Sequence, residues 1–87
     1  MTDISRIKFT RHALRKFEVL KHYGFLVSKQ QVIDVVRNPT RLETRGGQFL
    51  AVKPIDSKYA LRVVYEVREA FLVIITFYPV RRVRYGV

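Results

Sequence analysis

The chain of 87 residues contains no cysteine. That excludes a disulfide framework and any cysteine-ligated zinc site. A fold that needs no such staples suits a reducing cytoplasm. Acidic residues are scarce: seven Asp and Glu stand against seventeen Lys and Arg, for a formal net charge of +10. The acids (Asp3, Glu18, Asp34, Glu43, Asp56, Glu66, Glu69) form no D-x-D pair, and His12 and His22 lie ten residues apart near opposite ends of one expected helix. No metal centre and no cofactor are expected from that pattern. No glycine-rich loop precedes a helix, so there is no phosphate cradle, and Gly46-Gly47 reads as a turn. Ser5, Ser28 and Ser57 sit at an expected strand start, helix cap and turn, none of them in a nucleophile-elbow context. The longest apolar run, Phe71 to Ile75, is too short to span a bilayer, and MTDISRIKF has no stretch that could act as a signal peptide.

Basic charge is what the chain has in excess. Eleven of the seventeen cationic residues are Arg. The planar guanidinium engages phosphate through two parallel hydrogen bonds and stacks on bases, so the bias points toward nucleic acid. A basic surface also suits an acidic protein partner, and it can simply keep a small protein soluble. The hydrophobic share of 48% is enough for a packed core, and 87 residues form one domain, residues 1–87.

The pattern then divides the chain. Ser5 to Thr10 reads as a short edge strand. Thr10 is a good N-cap for a helix over Arg11 to Tyr23, where Ala13, Leu14, Phe17 and Leu20 recur at helical spacing, and Gly24 ends it. Ser28-x-x-Gln31 is a capping box, and Val27 and Val32 can form its hydrophobic staple. The second helix runs from about Lys29 to Arg37, buries Val32, Ile33 and Val36, and stops at Asn38-Pro39. Arg41–Arg45 and Gln48–Lys53 flank the two glycines as a tight hairpin.

Two long runs follow, Lys58 to Arg68 and Phe71 to Pro79, rich in β-branched and aromatic residues. Pairing Arg68 with Leu72 puts Tyr59, Leu61, Val63, Tyr65 and Val67 on one apolar face with Phe71, Val73, Ile75, Phe77 and Pro79. The other face then carries Arg62 opposite Tyr78, Val64 opposite Thr76 and Glu66 opposite Ile74. A two-residue loop at Glu69-Ala70 would mix polar with apolar residues, so the first register is preferred. The expected fold is α+β, in the order β-α-α-β-β-β-β. Two N-terminal helices would cover one face of a mainly antiparallel four-stranded sheet and leave the other open.

A metal-free basic site remains as the chemical possibility. A base takes the proton of a ribose 2′-OH, Arg or Lys stabilises charge building on phosphorus, and an acid protonates the leaving 5′-oxygen. RNA brings its own nucleophile to this reaction. Arg62, Thr76 and Tyr78 are the strand-face candidates, weighed against an ordinary solvated face. His12 and Arg15, three residues apart on one helix flank, are the helix candidates, weighed against a solvated histidine and a surface charge. In the tail, Arg81, Arg82 and Arg84 could grip phosphates with Tyr85 stacking on a base, or the segment could be a frayed basic terminus. The same residues could bind RNA or a ribosome without chemistry.

Thr10-Arg11-His12-Ala13-Leu14-Arg15, Leu61-Arg62-Val63-Val64-Tyr65-Glu66 and Val73-Ile74-Ile75-Thr76-Phe77-Tyr78-Pro79 together resemble a family of small bacterial and archaeal proteins similar to RelE- and BrnT-type toxins, over about Lys8 to Tyr78. The resemblance implies a RelE-like fold and a metal-independent ribonuclease of a toxin–antitoxin pair. It also implies an open sheet face that cuts mRNA, on or off the ribosome, and a small antitoxin, often acidic, that covers this face. It adds weight to His12, Arg62, Thr76 and Tyr78 as catalytic residues, and some to Arg15.

Overall fold

A computed structural model of the chain describes residues 6–87. Strand β1 (Ile7–Phe9) leads into helix α1 (Arg11–His22), then helix α2 (Lys29–Arg37). Strands β2 (Arg41–Arg45), β3 (Gln48–Pro54), β4 (Tyr59–Arg68) and β5 (Phe71–Arg81) follow, and a helical turn, α3 (Arg82–Tyr85), ends the chain. The fold is α+β, as expected. The sheet has five strands rather than four, in the order β1-β5-β4-β3-β2, and it is open. It is also mixed: β1 runs parallel to β5, with Ile7 beside Leu72 and Phe9 beside Ile74, while the other pairings are antiparallel. Ser5, part of the expected first strand, lies outside the described residues.

Helix boundaries follow local chemistry closely. Thr10 caps α1 by accepting the Ala13 N–H at 3.0 Å. At the other end Gly24 takes φ +86°, the Gly24 N–H bonds to the Lys21 carbonyl, and the Phe25 N–H reaches the Leu20 carbonyl at 2.9 Å. This pair of bonds is a Schellman motif, and Leu20 and Phe25 both pack into the core. Ser28 and Gln31 form the full capping box on α2. That helix buries Val32, Val35 and Val36, while Ile33 is only half-buried. The expected inward stripe is thus rotated toward Val35, because α2 lies across both β3 and β4.

The core lies between the two long helices and one sheet face. Ala13, Leu20, Val32, Val35 and Val36 meet Ala51, Leu61, Val63, Tyr65, Leu72, Ile74 and Phe77. Phe17 links the layers, its ring 4.6 Å from that of Phe77 and 5.9 Å from that of Phe9.

The central hairpin contains both of the registers weighed above. From Tyr59 to Val64 the pairing is the preferred one, with Arg62 opposite Tyr78 and Val64 opposite Thr76. From Tyr65 to Arg68 it shifts by one, with Tyr65 opposite Ile74 and Arg68 opposite Phe71. Ile75 is the extra residue of a β-bulge. Beyond the bulge the faces of β5 exchange. Leu72 and Ile74 turn into the core, and Phe71 and Val73 join the Arg62 face, the reverse of the expected assignment. The two-residue loop closes with Glu69 at φ +55°, a positive φ at the first central position of the turn.

Thr10 holds this irregularity in place. Its N–H donates to the Ile74 carbonyl at 3.1 Å and its hydroxyl to the Ile75 carbonyl at 3.0 Å. The same hydroxyl accepts from Ala13, so one side chain caps α1 and satisfies the carbonyl that the bulge leaves out of the ladder. Thr10→Val is expected to lower stability by about 1–2 kcal/mol, from a lost cap and a lost hydrogen bond. Thr10→Ser should retain most of it. Urea unfolding of the two variants beside wild type measures the difference.

Acid sensitivity follows from three carboxylates. Accepting the Tyr59 and Lys58 N–H groups holds the Asp56 carboxyl below the usual range. Bonds from Lys53 and Asn38 do the same for Asp34, and bonds from Gln48 and Arg68 do so for Glu66. A carboxyl whose pKa is depressed by folding stabilises the fold above its unfolded value, and that stabilisation is lost as pH falls through the folded one. Thermal unfolding should therefore show a melting temperature that declines below the ordinary carboxylate range. The decline should be shallower in Asp56→Asn, which keeps a side-chain acceptor for the turn.

Candidate nucleic-acid interface

The sheet face turned away from α1 and α2 carries Arg62, Val64, Glu66 and Arg68 from β4, with Tyr78, Thr76, Val73 and Phe71 from β5. Leu50 and Val52 of β3 share it, and Lys8 of β1 lies at its margin. Arg62, Thr76 and Tyr78 are therefore brought together as expected. The face is not bare, however. Leu50, Val52, Ala60 and Val64 on this side are buried. The C-terminal residues also do not fray: β5 continues to Arg81, and α3 folds back so that Tyr85 meets Arg62.

Arg62 is the centre of the arrangement. Its Nη1 donates to the Tyr85 hydroxyl at 2.8 Å, and its guanidinium carbon lies 5.2 Å from the Tyr85 ring centre and 6.0 Å from that of Tyr78. Two phenol rings thus flank one cation. Its Nε is buried without a hydrogen-bond partner among the described residues. A buried donor left unmade costs about 1–3 kcal/mol. Few native groups are left this way, and an ordered water or an acceptor supplied by a ligand satisfies them. The Tyr85 hydroxyl accepts from Arg62, so its own proton stays free to donate. No hydroxyl hydrogen bond is made by Thr76 or Tyr78 among the described residues, and both are half-buried.

Backbone and side-chain bonds pin α3 over this face. The Arg82 N–H bonds to the Lys58 carbonyl, Arg82 Nη1 to the Asp56 carbonyl at 3.0 Å, and Arg82 Nε to the Val87 carbonyl at 2.9 Å. Arg41 Nη1 donates to the Tyr85 carbonyl at 3.0 Å. Arg82, grouped with the phosphate-gripping residues in the sequence, is thus committed to holding the turn. Arg41 and Tyr59 were not singled out from the sequence. Tyr59 was legible there, because the register that pairs Arg62 with Tyr78 also pairs Tyr59 with Arg81. Arg41 was not, since only the folded-back tail brings Tyr85 to it. Arg81 and Arg84 are exposed, and the Arg81 guanidinium lies 5.5 Å from the Tyr59 ring centre.

His12 and Arg15 are not joined to this cluster. Both are exposed on α1, which packs on the opposite face through Ala13, Phe17 and Leu20. No hydrogen bond or ion pair connects either residue to Arg62, Thr76 or Tyr78 among the described residues. The first turn of α1 does begin beside the β5 edge, where Thr10 meets Ile74 and Ile75. No group of three or more His, Asp or Glu that could hold a metal ion occurs among the described residues, and no helix there is long and apolar enough to cross a membrane.

The unpartnered Nε gives a stability test. Replacing Arg62 with Met removes the buried donor and keeps the aliphatic stem, so Arg62→Met should unfold at an equal or higher urea midpoint, a change of about 0–2 kcal/mol. A lower midpoint would mean that the Tyr85 bond outweighs the orphaned donor. The chain matches no known family model, and no curated protein and no solved structure is significantly similar to it.

Proposed function

We propose that the chain is a RelE-like, metal-independent endoribonuclease acting through the ribose 2′-OH of RNA, the toxin of a toxin–antitoxin pair. The observation that carries this reading is Arg62: a half-buried guanidinium between two phenols, with one N–H unpaired among the described residues. The net charge of +10 supports a polyanionic substrate. In the reaction the 2′-oxygen attacks the adjacent phosphorus, the P–O5′ bond breaks, and the products are a 2′,3′-cyclic phosphate and a 5′-OH. Arg62 neutralises the charge that grows on the phosphoryl oxygens. Tyr85, with its free proton, protonates the departing O5′. Thr76 positions the phosphate through its hydroxyl.

Tyr78 takes the proton of the 2′-OH, and His12, across the sheet from Arg62, meets the strand beyond the scissile phosphodiester. An RNA strand that reaches both His12 and Arg62 passes around the β5 edge, where the ladder with β1 ends at Ile74 and residues 76–81 leave an unpaired strand edge. Arg15, one turn further along α1, meets a neighbouring phosphate. The cognate partner is a small acidic protein that covers the same basic face, and the compartment is the cytoplasm.

A second reading has one observation in its favour. Because His12 lies outside the Arg62 cluster, the face can also serve to bind RNA without cutting it.

End-labelled RNA incubated with purified protein in the presence of a metal chelator separates the two. Cleavage to cyclic phosphate ends is expected. It should fall about 100-fold or more in Arg62→Ala, in line with the loss of a transition-state charge donor, and vanish on an RNA with a 2′-deoxy sugar at the cut site. Tyr78→Phe should reduce it about 100-fold, within the range of general acid–base catalysis. Tight, salt-sensitive binding with the RNA recovered intact would support the second reading instead.

A further inference from the structure

A cleft of about 290 Å³ opens next to the Arg62 cluster, where β4 begins and β5 runs into α3. It is lined by Tyr59, Pro79, Val80, Arg81, Arg84 and Tyr85. Its chemistry is mixed in a specific way. Two phenol rings and a proline ring offer flat apolar surfaces. Arg81 and Arg84 bring two cations, both exposed and neither in an ion pair among the described residues. The Tyr59 ring is held by an edge-to-face contact with Phe25 at 5.1 Å and by the Arg81 guanidinium 5.5 Å from its centre. Tyr85 is fixed by its bonds to Arg62 and Arg41. Both walls are therefore held in place before any ligand arrives, which lowers the ordering cost of binding.

We infer that this cleft is a subsite for a single unstacked nucleotide, its base lying against Tyr59 or Tyr85 and its phosphate held by Arg81 and Arg84. The inference rests on the proposed action on RNA and adds the form of the substrate. The volume suits one nucleotide. A flat ring has aromatic surfaces to stack on, and the two guanidiniums, neither in an ion pair among the described residues, match a phosphate charge. The Tyr85 hydroxyl that faces Arg62 lies on the same residue that walls the cleft, so a nucleotide seated here is next to the one whose phosphate meets Arg62. A base inside a duplex cannot enter such a cleft, which makes the substrate single-stranded at this position.

The chain has five tyrosines and no tryptophan, so its intrinsic fluorescence reports on tyrosines directly. Titration of the whole protein with adenosine 5′-monophosphate, uridine 5′-monophosphate, the matching nucleosides and inorganic phosphate tests the subsite. Quenching by the nucleotides is expected at concentrations at least tenfold lower than by nucleosides or with phosphate present alone. Arg84→Ala, at an exposed position, should weaken nucleotide binding about tenfold. Tyr59→Phe should keep the affinity and Tyr59→Leu lose it, a single stack being worth roughly tenfold. Equal affinity for phosphate and nucleotide would overturn the subsite, and so would wild-type nucleotide binding in Arg84→Ala together with Tyr59→Leu. Either of those results, alongside RNA cleavage that still depends on Arg62, would remove the subsite and leave the proposed function standing.

Discussion

The hydroxyl of Thr10 sits between two elements that could otherwise be built independently. It accepts from the first turn of α1 and donates to the carbonyl of Ile75, the residue that bulges out of β5. The bulge decides which residues of the longest strand face the helices and which face away. With it, Ile74 and Leu72 complete the core beneath α1. Phe71 and Val73 move to the face that carries Arg62. A carbonyl left out of a ladder needs another donor, and Thr10 supplies one at the place where the chain turns from β1 into its first helix. The cap, the bulge and the two-sidedness of the sheet are thus parts of one constraint.

Arg62 illustrates a different balance. Its guanidinium is held between Tyr78 and Tyr85, and among the described residues it makes one good hydrogen bond and leaves a buried donor without a partner. A strand selected for stability alone would place a β-branched or aromatic residue there, as at the neighbouring Val64. Local costs of this kind are often found at positions kept for function. The surroundings agree with that: Arg41, Arg81 and Arg84 lie nearby, and Glu43 beside Arg41 is already paired with it at 2.9 Å. Exposed ion pairs of that type contribute little stability, so the basic character of this end of the sheet has an electrostatic meaning more than a structural one.

The C-terminal turn changes how this face is approached. Instead of a loose basic tail next to an open sheet, Arg82 ties the turn to Asp56 and Val87, and Arg41 ties it to β2. Tyr85 is thereby a fixed wall rather than a mobile ring. Arg41, Arg62 and Tyr85 are thus arranged in advance, so in the proposed binding of RNA little binding energy would go into ordering them.

Local chemistry was legible in the sequence. Both helix caps, the Gly24 stop, the Gly46-Gly47 hairpin and the pairing of Arg62 with Tyr78 and Val64 with Thr76 depend on neighbours in the chain or on strand alternation, and these signals act over a few residues. Tertiary contacts decided the rest. Alternation favoured one register of the central hairpin, whereas the folded chain uses both, joined at a bulge whose carbonyl is met by Thr10, sixty-five residues away in sequence. The partnership of β1 with β5, which makes the sheet five-stranded, and the return of Tyr85 onto Arg62 are also long-range. The separation of His12 from the strand face belongs with them, because the side of the sheet on which a helix lies is set by which apolar face it buries. Alternation and capping specify elements; the burial of faces against one another specifies where their side chains meet.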